Sequence, residues 1–389
     1  MEQHLRELND LLSEPLESVR ERERSAFDRL LAKRDGRLVL FGAGNLGRKA
    51  LACLRGSGIE PLAFSDNSPA KWGTRVDDLT VLSPQNAAET YGASALFVVT
   101  IWSLGHSFAD TRTKLGLLGC PNVTCSSSLR WKFAAQMLPD YCCDLPHKLY
   151  EQADEVRRAA TLWADEYSRR EYLNHVRWRA LGDLGALSAP VSEESYFLDS
   201  LYQVTPGEVF LDCGAYDGDT IRQLVQRNSK FNRVLAVEAD PSNYRRLTEW
   251  VENLDSDIAR RIQPLNVAVS ARSGRLHFHA TGAEGAHLSD DGGVLVDCVR
   301  IDDMVGKIEP TFIKMDIEGA EMDALQGAIK AIRRRPLLSI CVYHRQSDLW
   351  RILLFIHSQV PDYKFFLRSH DVDGWQSVCY AVPAGRLRA

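Results

Sequence analysis

A glycine-rich turn follows an apolar run in VFLDCGAYDGDTI, which begins at Val209. The run reaches Asp212, and Gly214 and Gly218 follow in the spacing Asp-x-Gly-x-x-x-Gly before a helix start. Glycine removes the side chain where the backbone turns and approaches a ligand, and the N–H groups at a helix start attract electron-rich groups. The pattern therefore predicts a loop that binds a nucleoside cofactor.

A second predicted strand, in RVLAVEADPSN, ends at the acidic residue Glu238. In doubly wound sheets an acid at this place accepts hydrogen bonds from ribose hydroxyls. The third strand, in LNVAVS, should end beside the adenine ring. The predicted cofactor site consists of Asp212, Gly214, Ala215, Gly218, Thr220, Glu238, Asn266, Ala268 and Asp316.

The segment FIKMDIEGAE carries acids directly after a fourth predicted strand. Asp316 ends this strand at the edge where doubly wound sheets bind ligands, and Glu318 and Glu321 follow at a helix start. These carboxylates could orient a charged cofactor, accept a proton or hold a divalent metal, for which Asp316 and Glu318 are the predicted ligands. Glu318 and Glu321 could instead complement the helix N-terminus. Strand alternation directs Lys314 to the same side as Asp316, where it could pair with these acids.

His344 ends a fifth predicted strand, LLSICVYH. Histidine titrates in a range that suits removal of a hydroxyl proton, although a lone histidine can also be structural or solvated. We expect a neutral His344 to accept the proton of the acceptor hydroxyl. The predicted catalytic set is His344, Asp316, Glu318 and Lys314.

Taken together, the loop, the acid after the second strand and FIKMDIEGAE resemble the FkbM family of S-adenosylmethionine-dependent methyltransferases. The resemblance covers roughly residues 196–383 and includes IKMDIEGAEMDALQGA, SICVYHRQSDLW and YKFFLRSH. It implies S-adenosylmethionine as cofactor and a seven-stranded class I methyltransferase sheet closed by an antiparallel pair, YKFFLRSH and SVCYAV. Because members of this family methylate hydroxyls of sugars and macrolide-like metabolites, it also implies an alcohol acceptor.

A second glycine-rich turn lies in RLVLFGAGNLGRKALACLRGSGIEPLAFSDN. Its glycines have the Gly-x-Gly-x-x-Gly spacing of a dinucleotide site, with an acid about 20 residues later as the ribose acceptor. The segments FGAGNLGRKAL, AFSDNSPAKWGTRV and LTVLSP resemble small nucleotide-binding domains of sugar O-acyltransferases and polysaccharide-assembly dehydratases. A nucleotide or nucleotide-sugar site, a dinucleotide site and a scaffold for dimerisation all remain open. The predicted second site consists of Gly42, Gly44, Asn45, Gly47 and Asp66.

The chain divides into four predicted segments of an α/β protein with two Rossmann-like units. Leucines at helical spacing predict one or two amphipathic helices in residues 1–35. Residues 36–125 form a nucleotide-binding unit, 126–195 a helical connector and 196–389 the methyltransferase domain. Within the last segment, GRLHFHA and HLSDDGGVLVDCVRIDDMV predict an inserted β-hairpin whose polar loop could close over the substrate.

The composition of the chain argues against several classes of protein. A net charge of -5, with both signs interspersed, disfavours a broad surface for nucleic acid. Nine cysteines without a Cys-x-x-Cys pair indicate thiols in a reducing compartment. The charged start MEQHLRELND and the absence of a run of about eighteen apolar residues predict a cytoplasmic protein without a signal peptide or transmembrane segment.

These patterns predict an S-adenosylmethionine-dependent O-methyltransferase that acts on a hydroxyl of a sugar, in a glycan or a nucleotide-sugar. Two other classes remain open. If the first unit is catalytic, the protein is an NAD(P)-dependent nucleotide-sugar oxidoreductase. If neither unit turns over, it is a binding module of a glycan-assembly complex. A homo-oligomer is compatible with each of these predictions.

Overall fold

The computed structural model describes residues 2–281, 287–288 and 292–388 of the chain. Helices and strands alternate along these ranges, as the sequence predicts for an α/β protein. None of the helices in this part of the chain combines the length and the apolar character that crossing a bilayer requires.

The described residues fold into two compact units. The first unit runs to Arg157 and also contains Arg170–Pro190 and Asp371–Trp375. The second unit contains Arg158–Arg169, Val191–His370 and the described residues from Gln376 onward. The segment predicted as a separate helical connector is therefore divided between the two units.

Two helices precede the first sheet, α1 (Glu2–Leu11) and α2 (Leu16–Ala32). Their apolar faces are buried, and the chain leaves α2 through Asp35 and Gly36, which have φ angles of 51° and 75°. The structure has two helices here, which agrees with the prediction of one or two amphipathic helices that end near these residues.

The first sheet has six strands, and helices precede, connect and follow these strands along the chain. The strands are β1 (Leu38–Phe41), β2 (Ala63–Ser65), β3 (Arg75–Val76), β4 (Leu79–Leu82), β5 (Leu96–Val99) and β6 (Val123–Cys125). The helices from here to the second sheet are α3 (Asn45–Gly56), α4 (Pro84–Tyr91), α5 (Phe108–Leu117), α6 (Ser127–Lys132), α7 (Ala134–Met137), α8 (Pro146–Tyr150), α9 (Ala153–Ala160) and α10 (Glu166–Leu181). The strand order is β3-β4-β2-β1-β5-β6, so the chain reverses direction across the sheet between β1 and β5. Ligands of open α/β sheets bind at such a switch point.

The second unit contains a seven-stranded sheet and a small four-stranded sheet. Its strands are β7 (Val209–Cys213), β8 (Arg233–Val237), β9 (Ile262–Leu265), β10 (Ala268–Val269), β11 (Gly274–His279), β12 (His287–Leu288), β13 (Val294–Val299), β14 (Phe312–Met315), β15 (Leu337–Cys341), β16 (Lys364–Ser369) and β17 (Ser377–Val382). Its helices are α11 (Asp219–Arg227), α12 (Pro241–Glu252), α13 (Ser256–Ala259), α14 (Ile301–Val305), α15 (Glu321–Gln326), α16 (Ile329–Arg333) and α17 (Asp348–Gln359).

The seven-stranded sheet has the order β16-β17-β15-β14-β7-β8-β9. The central strands β7, β14 and β15 run parallel, and their apolar sequences are buried on both faces, as expected for a covered parallel sheet. β17 pairs antiparallel with both β15 and β16, which confirms the predicted closing pair. The switch point of this sheet lies between β7 and β14.

Two further features of this unit bear on the predictions. β11 and β13 pair antiparallel, which agrees with the inserted hairpin, whereas the loop predicted to close over the substrate includes residues 282–286 and 289–291, which lie outside the described residues. The segment Arg158–Arg169 lies along β16, where the main-chain N–H of Ala164 donates to the carbonyl of Phe365 (2.8 Å).

Candidate cofactor and active site

The glycine-rich loop of the second unit connects β7 to α11. Gly214 has a φ of +82°, and a Cβ built there would lie 1.9 Å from the main-chain oxygen of Asp316. Gly218 has a φ of +93°, and its Cβ would lie 2.6 Å from the Trp250 ring. Both positions therefore require glycine, because the backbone is left-handed and neighbouring atoms fill the side-chain space. Of the described side chains, none forms a capping hydrogen bond at the start of α11.

Asp212, at the end of β7, forms a buried ion pair with Lys314 on β14 (3.1 Å). Lys314 also donates to the main-chain carbonyl of Gly214 (2.7 Å). Although burial alone would lower the pKa of Lys314, the charge of Asp212 raises it, so the ammonium stays charged. The sequence predicted that Lys314 could pair with the acids of FIKMDIEGAE. It pairs with Asp212 instead, because the register of β14 on β7 places these two residues side by side. Lys314 therefore links β14 to the end of β7 and to the glycine-rich loop that follows it.

Lys314→Met should destabilise the protein strongly, because it leaves Asp212 as a buried charge without its partner. We expect the free energy of unfolding in urea to fall by about 3–5 kcal/mol. The control Arg388→Met removes an ion pair with Asp199 (3.4 Å) in which both side chains are roughly half exposed, and it should change stability little. Similar losses in the two variants would contradict this account.

Glu238 follows β8, and only 7% of its surface is exposed. Its carboxylate accepts hydrogen bonds from the main-chain N–H groups of Tyr216 and Asp240, both at 2.8 Å. The first of these bonds ties the cofactor loop to the neighbouring strand. Burial raises the pKa of Glu238 to about 7. Since each carboxylate oxygen has two lone pairs, Glu238 retains acceptor capacity for a ribose hydroxyl.

The other predicted cofactor residues have different surroundings. Asn266 donates to the main-chain carbonyl of Glu238 (2.9 Å), which places it beside the predicted ribose acceptor. Ala215, Thr220 and Ala268 have buried side chains, and the N–H of Ala215 donates to the carbonyl of Val237 (3.0 Å). Their role in cofactor binding stays a prediction.

Four predicted residues come together beyond the ends of β14 and β15. His344 Nδ1 lies 2.8 Å from Glu321 Oε1. His344 Nε2 lies 3.3 Å from Asp316 Oδ1 and 3.8 Å from Glu318 Oε2. Glu321 also accepts the main-chain N–H of Ile317 (2.9 Å). The parallel strand ends and the following helix start thus surround one buried imidazole with carboxylates.

The carboxylates determine the charge of His344. Burial alone would lower the pKa of His344, but the negative charges of Glu321, Asp316 and Glu318 raise this pKa to about 10. The ring is therefore an imidazolium at neutral pH and cannot accept a proton, which differs from the expected neutral base. Burial alone would raise the pKa of Asp316, but the positive charges of His344 and Lys314 hold this pKa below its ordinary value.

Two tyrosines that the sequence did not point to complete this cluster. Tyr196 Oη donates to Asp316 Oδ2 (2.8 Å), and Tyr343 Oη donates to Asp316 Oδ1 (3.3 Å). Tyr343 directly precedes His344, so its position at a strand end was a signal for its role. Tyr196 and Glu318 have positive φ angles of 71° and 54°. Such backbone costs about 1–3 kcal/mol per residue and concentrates at functional sites.

The donors of this cluster fit a divalent metal. Asp316, Glu321 and His344 each offer one ligand atom, and these atoms lie within 4.8 Å of one another. Glu321 Oε2 is buried and has no hydrogen-bond partner within the described part of the chain. Because Glu321 holds Nδ1, the imidazole presents Nε2 to Asp316 and Glu318, as in sites where a carboxylate orients a histidine ligand. The predicted metal ligands Asp316 and Glu318 therefore lie on the side of the ring where a metal would bind.

The glycines of the predicted second site have separate tasks. Gly42 has a φ of +119°, and a Cβ there would lie 2.5 Å from the side chain of Ile101. A Cβ on Gly47 would lie 1.9 Å from the carbonyl of Gly42, whereas a Cβ on Gly44 would meet open space. Gly44 precedes α3, which begins at Asn45. The first and third glycines thus serve the turn and its packing, and the second leaves room for a ligand.

Asp66, the predicted ribose acceptor of this unit, forms several internal contacts. Its carboxylate accepts the main-chain N–H groups of Ala43 (2.9 Å) and Ser68 (2.8 Å). It also pairs with Lys71 (2.9 Å). Asp66 therefore ties its glycine loop to the neighbouring strand, as Glu238 does in the second unit.

Residues 212–371 match the family model described as the methyltransferase FkbM domain. This part of the chain is a methyltransferase domain of the FkbM family. A crystal structure of methyltransferase FkbM from Methylobacillus flagellatus KT aligns over 98% of each chain, with 26% identity and a TM-score of 0.76. The fold of that protein therefore extends over both sheets, and the FkbM domain is one part of it.

Two curated methyltransferases align with part of the chain. The 2-O-methyltransferase NoeI of Sinorhizobium fredii is 29% identical over 167 residues, which are 37% of this chain and 65% of the relative. The hexuronic acid methyltransferase AglP of Haloferax volcanii is 32% identical over 106 residues, which are 26% of this chain and 43% of the relative. The chain thus spans less than two thirds of the length of either relative. These matches give no support to an oxidoreductase or to a non-catalytic module.

Proposed function

We propose that this protein is an S-adenosylmethionine-dependent O-methyltransferase that acts on a hydroxyl of a sugar, in a glycan or a nucleotide-sugar. The observation that carries the proposal is the cluster of Tyr196, Asp316, Tyr343 and His344 beside the glycine loop of the FkbM domain. The names of the two relatives support a sugar hydroxyl as acceptor, since one is a 2-O-methyltransferase and the other methylates a hexuronic acid.

The residues of the loop would hold the cofactor as one unit. The Asp212–Lys314 pair fixes the carbonyl of Gly214, so the loop keeps its shape before the cofactor binds. The start of α11 presents N–H groups, and Glu238 accepts hydrogen bonds from the ribose. Asn266, whose side chain donates to the main-chain carbonyl of Glu238, would contact the adenine.

The bound cofactor would supply a methyl group for transfer to an alcohol oxygen, with the C–S bond of the sulfonium breaking as the C–O bond forms and S-adenosylhomocysteine leaving. Holding the acceptor in near-attack geometry can contribute about 7–11 kcal/mol, and a positioned base adds about 10²- to 10⁴-fold. Since His344 is protonated, we assign the acceptor proton to Glu318, whose carboxylate lies 3.8 Å from His344 Nε2. The imidazolium also keeps Asp316 in place between the two tyrosines.

A divalent metal is the alternative source of an activated alcohol, because a bound metal lowers the pKa of a hydroxyl. Asp316, Glu318 and, after loss of its proton, Nε2 of His344 would hold it, with Glu321 orienting the imidazole. Loss of turnover on addition of a chelator, and its recovery with Mg²⁺ or Mn²⁺, would favour this alternative over proton transfer to Glu318.

The affinity for S-adenosylmethionine should fall as the pH drops through about 7. Burial raises the pKa of Glu238 to about 7 in the folded protein, so below that pH the carboxyl is neutral and a weaker acceptor for the ribose. Calorimetry should show that the affinity for S-adenosylmethionine falls roughly tenfold for each pH unit below about 7. Glu238→Gln should bind weakly at every pH without this slope, and the control Glu249→Gln on α12 should keep it. An affinity that does not change across this range would rule out Glu238 as the titrating acceptor.

The proposed activity can be tested with the full chain, S-adenosylmethionine and a panel of acceptors. The panel contains oligosaccharides that end in uronic acids, neutral oligosaccharides and nucleotide-sugars, and mass spectrometry detects S-adenosylhomocysteine and a methylated hydroxyl. Methylation of a sugar that Glu238→Gln no longer supports would establish the function. Reduction of NAD(P) in the presence of a nucleotide-sugar, without methyl transfer, would instead favour an oxidoreductase.

A further inference from the structure

The first unit contains two adjoining cavities at the carboxyl ends of β5 and β6. Their volumes are about 290 and 280 Å³ with their open mouths included. Arg130, Cys143 and Trp178 line both cavities, so these residues form a shared wall. The cavities lie on the side of the sheet where open α/β proteins bind ligands, close to the switch point between β1 and β5.

Two buried arginines line this space. Arg130 on α6 is 2% exposed and Arg179 on α10 is 4% exposed. The Nε of Arg130 and the Nε and Nη2 of Arg179 are buried and have no hydrogen-bond partner among the residues that the structure describes. Leaving such donors unsatisfied is unfavourable, more so when the group is charged. A bound oxyanion would satisfy all three donors.

The charges around the two guanidinium groups leave Arg179 short of a counter-ion. Arg130 pairs with Asp140 (2.9 Å). Arg179 donates from Nη1 to Nδ1 of His175 (2.9 Å), and the other ring nitrogen of His175 faces Glu171 (3.2 Å). Among the described residues Arg179 has no direct ion pair with a carboxylate. Asp144, an acid in the lining of the first cavity, pairs with Lys148 (2.8 Å).

Aromatic rings support both arginines. The guanidinium of Arg130 lies over the ring of Trp102 at 4.8 Å, and that of Arg179 lies over the ring of Trp178 at 5.0 Å. Contacts of this kind favour the cation and hold its plane in a fixed orientation. A planar guanidinium with free N–H groups can bind the oxygens of a phosphoryl group through two parallel hydrogen bonds.

We propose that the first of these two cavities, which both arginines line, binds a phosphoryl group, with Arg130 and Arg179 as its ligands. Ile101 lines the second cavity and also lies against the glycine loop, 2.5 Å from a Cβ built on Gly42. In this proposal the arginines bind the phosphate of the ligand, and Asp66 holds the glycine loop of the same unit. This inference concerns the first unit and does not depend on the proposed methyl transfer. The phosphoryl group comes either from free phosphate or from the diphosphate of a nucleotide-sugar.

Calorimetry on the full chain with inorganic phosphate, diphosphate, uridine diphosphate, a uridine-diphosphate sugar and uridine tests the proposal. We expect the phosphate-bearing probes to bind and uridine to show no binding. Arg179→Gln should weaken binding by about tenfold or more, because it removes a charge-assisted donor pair. The matched control Arg177→Gln changes a partly exposed arginine on the same helix, which pairs with Glu7 (3.4 Å), and should leave the affinity unchanged.

The outcomes separate the two sources of the phosphoryl group and expose a failure. Tighter binding of the uridine-diphosphate sugar than of inorganic phosphate identifies a nucleotide-sugar, and equal affinities identify free phosphate. If Arg179→Gln does not fold, hydrogen exchange of the unmodified chain should slow around Arg130 and Arg179 when diphosphate is added. The proposal is overturned if no phosphate-bearing probe binds, if folded Arg179→Gln and Arg130→Gln bind normally, or if exchange slows only elsewhere.

Discussion

Gly214→Val should abolish binding of S-adenosylmethionine. Its φ of +82° is a conformation that β-branched residues rarely adopt, and its Cβ position lies 1.9 Å from the main-chain oxygen of Asp316. The loop would have to move away from β14, and this movement would separate Gly214 from Lys314, which holds its carbonyl. Cofactor binding and the position of Asp316 should therefore be lost together. Calorimetry with S-adenosylmethionine and with S-adenosylhomocysteine measures this effect.

Gly44→Val is the matched control for Gly214→Val. Gly44 lies in the other glycine loop, has a negative φ and borders open space, so valine should be accepted there. We expect this variant to bind S-adenosylmethionine as the unmodified protein does. Thermal unfolding of both variants shows whether each still folds. Normal cofactor binding by folded Gly214→Val would mean that this loop is not the cofactor site.

His344→Ala should lower turnover by about 10²-fold, because it misplaces the carboxylates around it, with little effect on the affinity for S-adenosylmethionine. Without the imidazolium, the carboxylates of Asp316, Glu318 and Glu321 repel one another and lose their common partner. The cofactor, in contrast, is held by the glycine loop and Glu238. Steady-state kinetics with the identified acceptor, together with calorimetry for the cofactor, measure the two effects separately.

His357→Ala is the control for this second prediction, since His357 lies on α17 and away from the carboxylate cluster. It should leave turnover unchanged. Near-normal turnover in folded His344→Ala would remove His344 from the reaction. If Asp316→Ala or a chelator abolished turnover in the same experiments, a metal held by Asp316 and Glu318 would be the better explanation.

The sequence predicted the architecture of both sheets because their central strands are short apolar runs, each ended by a glycine turn or a charged residue. In parallel sheets the carboxyl ends of neighbouring strands meet at one edge. This rule was sufficient to bring Asp212, Glu238, Asp316 and His344 into one region. The predicted membership of the FkbM family is confirmed by the domain match.

The details that were not predicted depend on register and on contacts between distant segments. Lys314 pairs with Asp212 because β14 is aligned with β7 in one particular register, which strand alternation alone does not determine. Tyr196 contacts a residue 120 positions further along the chain. The protonation of His344 depends on the sum of three carboxylate charges, and that sum requires distances. Pattern and spacing therefore predicted residues that the fold brings together, whereas their contact partners followed only from the folded chain.

The segment that lies along β16 sets a limit on how the chain can be shortened. β16 is an edge strand, and Arg158–Arg169 covers its open side through the Ala164–Phe365 hydrogen bond, a bond from Leu367 to Ser168 (2.9 Å) and the Asp165–Arg368 ion pair (2.6 Å). A fragment cut at the start of the family match, or at residue 196, would leave this edge bare, and bare strand edges pair with other chains and aggregate. The smallest fragment that keeps the methyltransferase sheet sealed therefore begins before Arg158.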